Sequence, residues 1–287
     1  MRSDTAAAAF LAIALTFVAA CGGGRSQNSA REARHVHGLG INPADKSLFV
    51  ATHTGMFRLP KGGSGLEPVG GSLQDTMGFT IIGPDHFLGS GHPDFYKDPD
   101  LPPLLGLVES GDAGRTWSPR SLLGRADLHV LRARGRLVVG YDVSKRRILV
   151  SRDGGRNWRA RAFPDVLVDL VIDPADTDRL LATSGSQLLI SRDGGRSWQS
   201  IIETTGLLAW PTRDRLYLLA SDGRLWWSPD RGRRWQERGQ MGGRPAVFSA
   251  STGGRMIGAT EDGVIKQSRD GGRSWRELAR LPDARTS

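Results

Sequence analysis

Along most of the chain, apolar residues come in short runs separated by stretches rich in Gly, Asp, Ser and Arg. In the clearest stretch, "VLVDLVIDP" (Val166–Pro174), "DRLLATSG" (Asp178–Gly185) and "QLLI" (Gln187–Ile190) succeed one another, and "WQSII" follows a loop. Each run is too short for a helix and is bounded by turn residues, so each reads as a β-strand, four to a unit. No part of this region sustains a helical period of apolar positions.

The loop between the third and fourth strand carries a fixed motif. "SRDGGRSW" fills Ser191–Trp198 and again Ser268–Trp275. "SGDAGRTW" (Ser110–Trp117), "SRDGGRNW" (Ser151–Trp158) and "SPDRGRRW" (Ser228–Trp235) are looser copies. The serines recur every 37 to 41 residues. Such a period marks a repeat array, and it favours one closed array over the two domains that the length alone would allow. Ser and Asp at positions one and three hydrogen-bond local backbone amides, Gly at position five accepts a positive φ, and Trp at position eight returns to the apolar layer. The motif is a hairpin staple and names no substrate.

The segment Val36–Leu66 fits the same template, with Pro43 on Pro174, Asp45 on Asp176 and Gly62-Gly63 on Gly194-Gly195; its motif has decayed to "LPKGGSGL". Units then begin near His35, Gln74, Asp127, Val166, Gly206 and Ala246. The expected fold is an all-β, six-bladed β-propeller with four-stranded blades and every motif hairpin on one face; seven blades is the alternative.

The five motifs resemble the Asp-box, or BNR, repeat of sialidases, sortilin-type receptors, photosystem II assembly factors and other propellers. "HVHGLGINPAD", "VATHTGMFRL", "QDTMGF" and "FLGSGHPD" resemble more closely a group of actinobacterial exported proteins labelled glycosyl hydrolase or BNR-repeat. That label follows the repeat, and a propeller by itself implies no activity.

The N-terminus changes the picture of where the protein works. The apolar run Ala6–Ala20 is too short to span a bilayer and matches the hydrophobic region of a signal peptide. It ends in "VAAC", which resembles a lipobox with Cys21 as the lipidated residue, and this is the sole cysteine. The expected organisation is a signal peptide over residues 1–20, a lipid-anchored tether over 21–34 and the propeller over 35–287. The localisation that follows is the outer face of the bacterial cell membrane. The formal charge of +9 is carried by 34 Arg and only 5 Lys, and ten of the arginines lie within the motifs. No aromatic array interleaves with them as a stacking platform for nucleic acid would require, so nucleic acid is not expected as a partner. A monomer is expected.

Candidate chemistry gathers at one end. In each blade the motif joins the third strand to the fourth, so the start of the first strand and the end of the second share the opposite, top face. The second-strand ends read His53, His92, Asp142, Ser184, Asp222 and Glu261, and the first-strand starts add His35, His37, Asp75, Met77 and His129. All six histidines lie between His35 and His129, and His86 falls on the bottom. The connection after His92 is overlong, and Pro93–Pro103 offers Asp94, Phe95 and Tyr96 as a partial lid.

Three readings follow. The first is a binding propeller with a ligand site at His35, His37, His53, Asp75, Met77, His92 and Asp94, in which His37, His53 and His92 would hold a copper or zinc ion. The second is a face for a small ligand, a glycan or an envelope protein. The alternative is a sialidase-like glycoside hydrolase, with Tyr141, Asp142, Asp222 and Glu261 as the catalytic candidates. For it, "FRLP" (Phe57–Pro60) is close to the sialidase Phe/Tyr-Arg-Ile-Pro motif, but the top positions offer no substrate-binding arginine.

Overall fold

The structure is a computed structural model that describes residues 35–282. The expected signal peptide, the tether and Cys21 lie outside the described residues. All regular structure in the described part is β-strand. Blade 1 comprises β1 (Val36–Ile41), β2 (Leu48–Thr52), β3 (Gly55–Leu59) and β4 (Glu67–Val69). Blade 2 comprises β5 (Asp75–Gly83), β6 (His86–His92), β7 (Leu107–Ser110) and β8 (Ser118–Ser121). Blade 3 comprises β9 (Leu128–Arg134), β10 (Leu137–Asp142), β11 (Arg147–Ser151) and β12 (Arg159–Ala162). Blade 4 comprises β13 (Leu167–Asp173), β14 (Asp176–Ser184), β15 (Leu188–Ser191) and β16 (Gln199–Ile202). Blade 5 comprises β17 (Leu207–Thr212), β18 (Arg215–Leu219), β19 (Arg224–Ser228) and β20 (Gln236–Gln240). Blade 6 comprises β21 (Pro245–Ala250), β22 (Met256–Thr260), β23 (Val264–Ser268) and β24 (Arg276–Arg280).

Each sheet is an antiparallel meander in chain order. The first strands of successive blades touch around the axis and β21 returns to β1, closing a six-bladed propeller. Six apolar clusters fill the six clefts between neighbouring blades. No blade borrows a strand from the other end of the chain. The seam between blades 6 and 1 is packed by apolar side chains, among them Val36, Val50, Leu59, Ile257 and Ile265.

The repeated motif does what its residue types require. In all five copies the Ser hydroxyl accepts the amide of the Gly at position five at 2.8 Å and donates to the Asp at position three. The same carboxylate accepts the backbone amide of position seven, for example Asp193 from Ser197 at 2.9 Å. Position four also lies at positive φ, including Ala113 (61°) and Arg231 (65°), a requirement the sequence reading placed on position five alone. Arg231 is anchored there by its guanidinium, whose Nε donates to buried Asp173 at 2.8 Å. The five motif tryptophans are half-buried, each against the cleft that precedes its blade. In blade 1, Leu66 takes the equivalent place, which explains how a decayed motif still closes its hairpin.

Candidate metal centre

The register of β1, β5, β9, β13 and β21 creates the site. Each of these strands is interrupted near its start by a β-bulge, and the residues left unpaired are His37, Met77, His129, Val168 and Ala246. A bulge re-aims a side chain that would otherwise alternate into the neighbouring cleft. Gly38 and Gly78 follow two of them. A β-carbon at Gly38 would stand 2.7 Å from Phe79 Cβ, and one at Gly78 would stand 2.2 Å from the Leu128 carbonyl oxygen. Glycine therefore lets the innermost strands of blades 1, 2 and 3 crowd together at the top.

Within this register His35 aligns with Asp75, Asp127 and Val166, and His53 with His92 and Glu261. Three sequence alignments shift. Asp142 and Ser184 pair as Thr52 does, one residue before the His53 position. Asp222 aligns with Asp262, since the Gly223 and Gly263 amides close the same turn onto Ala220 and Thr260. A tight turn of different length hides such an offset in a linear sequence.

The polar residues of blades 1 to 3 form one connected group. His35, His37 and His53 each place a nitrogen so that the three lie within 4.8 Å of one another. Their ring centroids are 4.9 Å (His35–His37), 5.6 Å (His35–His53) and 4.2 Å (His37–His53) apart. Asp75 Oδ2 sits 3.0 Å from His53 Nδ1 and 3.3 Å from His92 Nδ1. Asp127 continues the chain, with Oδ2 3.0 Å from His129 Nε2 and 3.8 Å from His92 Nε2. Imidazole and carboxylate thus alternate across three blades. Asp127 and His129 were absent from the sequence-derived site; the signal for Asp127 was its register equivalence to Asp75.

Burial decides the protonation of the group. His37, with its side chain 8% exposed, is held neutral, its pKa lowered to about 3 by burial first and by His53 next, against the pull of Asp75. His35 is lowered by burial and by His53. For Asp75 burial is the largest influence and acts upward, but the hydrogen bonds and charge of His53, with His37 and His92, bring it below its ordinary value. An ionised Asp75 accepting from His53 Nδ1 leaves the lone pair of a neutral His53 on Nε2. His37 Nε2 is shut from solvent without a hydrogen bond, 3.8 Å from Asp75 Oδ1. Three converging imidazoles, His35 and His37 disfavoured from protonation by burial and His53 backed by a carboxylate, form a donor set that suits zinc or copper.

The structure exchanges one member of the expected triad: His35 joins His37 and His53, while His92 stands behind Asp75. Met77 occupies the bulge position of blade 2 and is half-buried. Asp94 is a loop staple. Its oxygens accept the amides of Leu73 at 2.8 Å and Tyr96 at 3.2 Å, so Pro93–Pro103 is tied sideways to the connection preceding β5. The candidates for glycoside hydrolysis sit in separate environments. Tyr141 is buried in the cleft between blades 3 and 4 against Phe163. Asp142 is fully buried, accepting from Ser144 at 2.6 Å and Arg147 at 3.0 Å. Asp222 holds Arg224 on an exposed turn, and Glu261 faces Arg244 at 3.5 Å.

The sequence matches no protein-family model and no curated protein. Solved structures do resemble the fold. "YCF48 bound to D1 peptide" aligns with a TM-score of 0.55 at 17% identity, over 86% of this chain and 81% of that one. A chain of the "Nidogen/Laminin Complex" aligns with a TM-score of 0.59 at 14% identity, over 77% and 88%. An "ancestral GH74 enzyme" aligns with a TM-score of 0.55 at 12% identity over 87% of this chain, which spans 39% of that larger one. The protein is a six-bladed β-propeller, and the likeness to these structures is one of fold.

Proposed function

We propose that this protein is a lipid-anchored binding propeller of the bacterial cell envelope whose top face holds a copper or zinc ion through His35, His37 and His53. The observation that carries this reading is the buried, neutral His37 converging with two further imidazoles while a carboxylate fixes the third. A metal ligand must offer a free lone pair, and an imidazole kept from protonation by burial is ready to do so. Asp75 acts as the positioning residue, orienting His53 through Nδ1. The anchor is acylated Cys21, which the "VAAC" sequence supports. The exposed part of the face, with Phe95 and Tyr96 on a stapled loop, is where a protein or peptide partner would meet the ion.

Isothermal titration with copper and zinc tests the reading, on wild type, His53→Gln and the pair His35→Gln/His37→Gln. Binding in the wild type that is lost in both variants is expected. Equal affinity in all three proteins would reduce these histidines to hydrogen-bonded wall residues.

A further inference from the structure

Below His37 the propeller axis opens into a cavity of about 550 Å³, lined by the innermost strands of all six blades. That volume falls within the range of roughly 300–1,000 Å³ usual for small-molecule sites. The electrostatics of its wall are one-sided. Every charged side chain lining it is an arginine (Arg132, Arg134 and Arg255), and no Asp or Glu reaches it. Arg132 is spoken for, donating to Asp169 at 2.6 Å and to the Leu131 carbonyl at 3.0 Å. Arg134 and Arg255 form no ion pair among the described residues. They stand on blades 3 and 6, which face each other across a ring of six.

Two of the residues that line the cavity also keep a buried donor without an acceptor. Arg134 Nε and Trp210 Nε1 are shut from solvent and lack a hydrogen-bond acceptor, and Trp210 is only 4% exposed. A buried N–H or guanidinium without an acceptor is costly, and native structures supply one. Asp173, whose charge reaches Arg134, is committed to Arg231 and Arg179. Arg255 is crowded instead by Arg269 and Arg276, and burial with this repulsion lowers its proton affinity. The remaining wall mixes polar and apolar surface, with Thr80, Ser249 and Ser251 beside Ile81 and Val247.

We propose that this axial cavity is a binding site for a small organic anion, a carboxylate or phosphate on a compact body, held between Arg134 and Arg255. His37 of the metal centre also lines this cavity, but the anion site is drawn from the arginines and does not rest on that reading. Entry is from the motif-bearing face, where β9 ends at Arg134 and β22 follows Arg255. The ligand's oxygens would complete the guanidinium pairs that the protein leaves open, while its body replaces water along the apolar part of the wall.

Titration calorimetry at low ionic strength, with chelator present to silence the metal centre, decides it. Phenyl phosphate and benzoate are the probes, with neutral benzyl alcohol as the control, and the stronger of the two anions identifies the headgroup. Binding of at least one anion with no binding of the alcohol is expected, weakened about tenfold or more in Arg134→Gln and in Arg255→Gln, as for loss of a charge-assisted hydrogen bond. Arg233→Gln, on an exposed motif loop, should bind as the wild type does. Absence of binding of both anions at millimolar concentration overturns the proposal. So does equal weakening in Arg233→Gln, which would reveal general surface charge. If Arg134→Gln does not fold, Arg255→Gln and Arg134→Lys carry the comparison.

Discussion

Acidification should destabilise this propeller through His37. In the folded state its pKa is about 3, whereas an unfolded chain protonates it near the ordinary 6.5. Between those values the unfolded state binds the extra proton, so stability is fully present above about pH 6.5 and falls as pH drops toward 3. Each pH unit within the window is worth about 1.4 kcal/mol for one such group, hence about 3 kcal/mol between pH 6.5 and pH 4. The side chain is 8% exposed, so little of this is lost to solvent screening. His35 is shifted in the same direction and adds to the slope. Asp75 is lowered instead, so its contribution fades only below its ordinary value of 3.8 and lies outside the range measured. Urea unfolding of the chelated protein at pH 7, 5.5 and 4 gives the slope, and His37→Gln, which cannot titrate, should lose most of it. The same slope in wild type and variant would refute the reasoning, whatever the absolute stability of the variant.

Other consequences are as direct. Ser191→Ala leaves the buried Gly195 amide without its acceptor and should cost about 1–3 kcal/mol in unfolding free energy by chemical denaturation. Arg231→Ala removes the main partner of fully buried Asp173 and should cost about 3 kcal/mol or more, read as a lowered melting midpoint. Asp75→Asn keeps the shape but not the charge behind His53, and metal affinity by calorimetry should fall about 10- to 100-fold. Cys21→Ala should release the protein from membranes in a fractionation experiment; a variant that stays in the membrane fraction would remove the anchor from the account.

The fold was legible because its signals are local. Strand length, turn residues and a motif repeated every 37 to 41 residues placed each blade start within one or two residues of where the strands begin. The site was legible only in part. Crowding of histidine into the first blades pointed to the right face, and His53 and His92 do occupy equivalent positions. The bulges that turn His37 and His129 toward the top leave no mark on residue type, and turns of different length after the second strand offset Asp142, Ser184 and Asp222 by one residue. Asp94 was named for its loop and its charge, yet nearby backbone amides claim both its oxygens, a local competition that spacing does not reveal.

The seam between blades 6 and 1 has a kinetic meaning. Every blade is a run of adjacent hairpins and can form from neighbouring residues, whereas the seam joins Val36 to Ile257, near the two ends of the described chain. Contacts between distant residues carry the greatest loop-closure entropy and form late in folding, so the ring is expected to close last and to open first there. The two sites would feel such an opening differently. His35, His37 and His53 belong to one blade and travel together, with Asp75 on the side away from the seam. The axial cavity exists only while the circle is complete, and an open ring would carry Arg255 away from Arg134. Breathing at one apolar seam would thus release a guest on the axis and leave the imidazole cluster assembled.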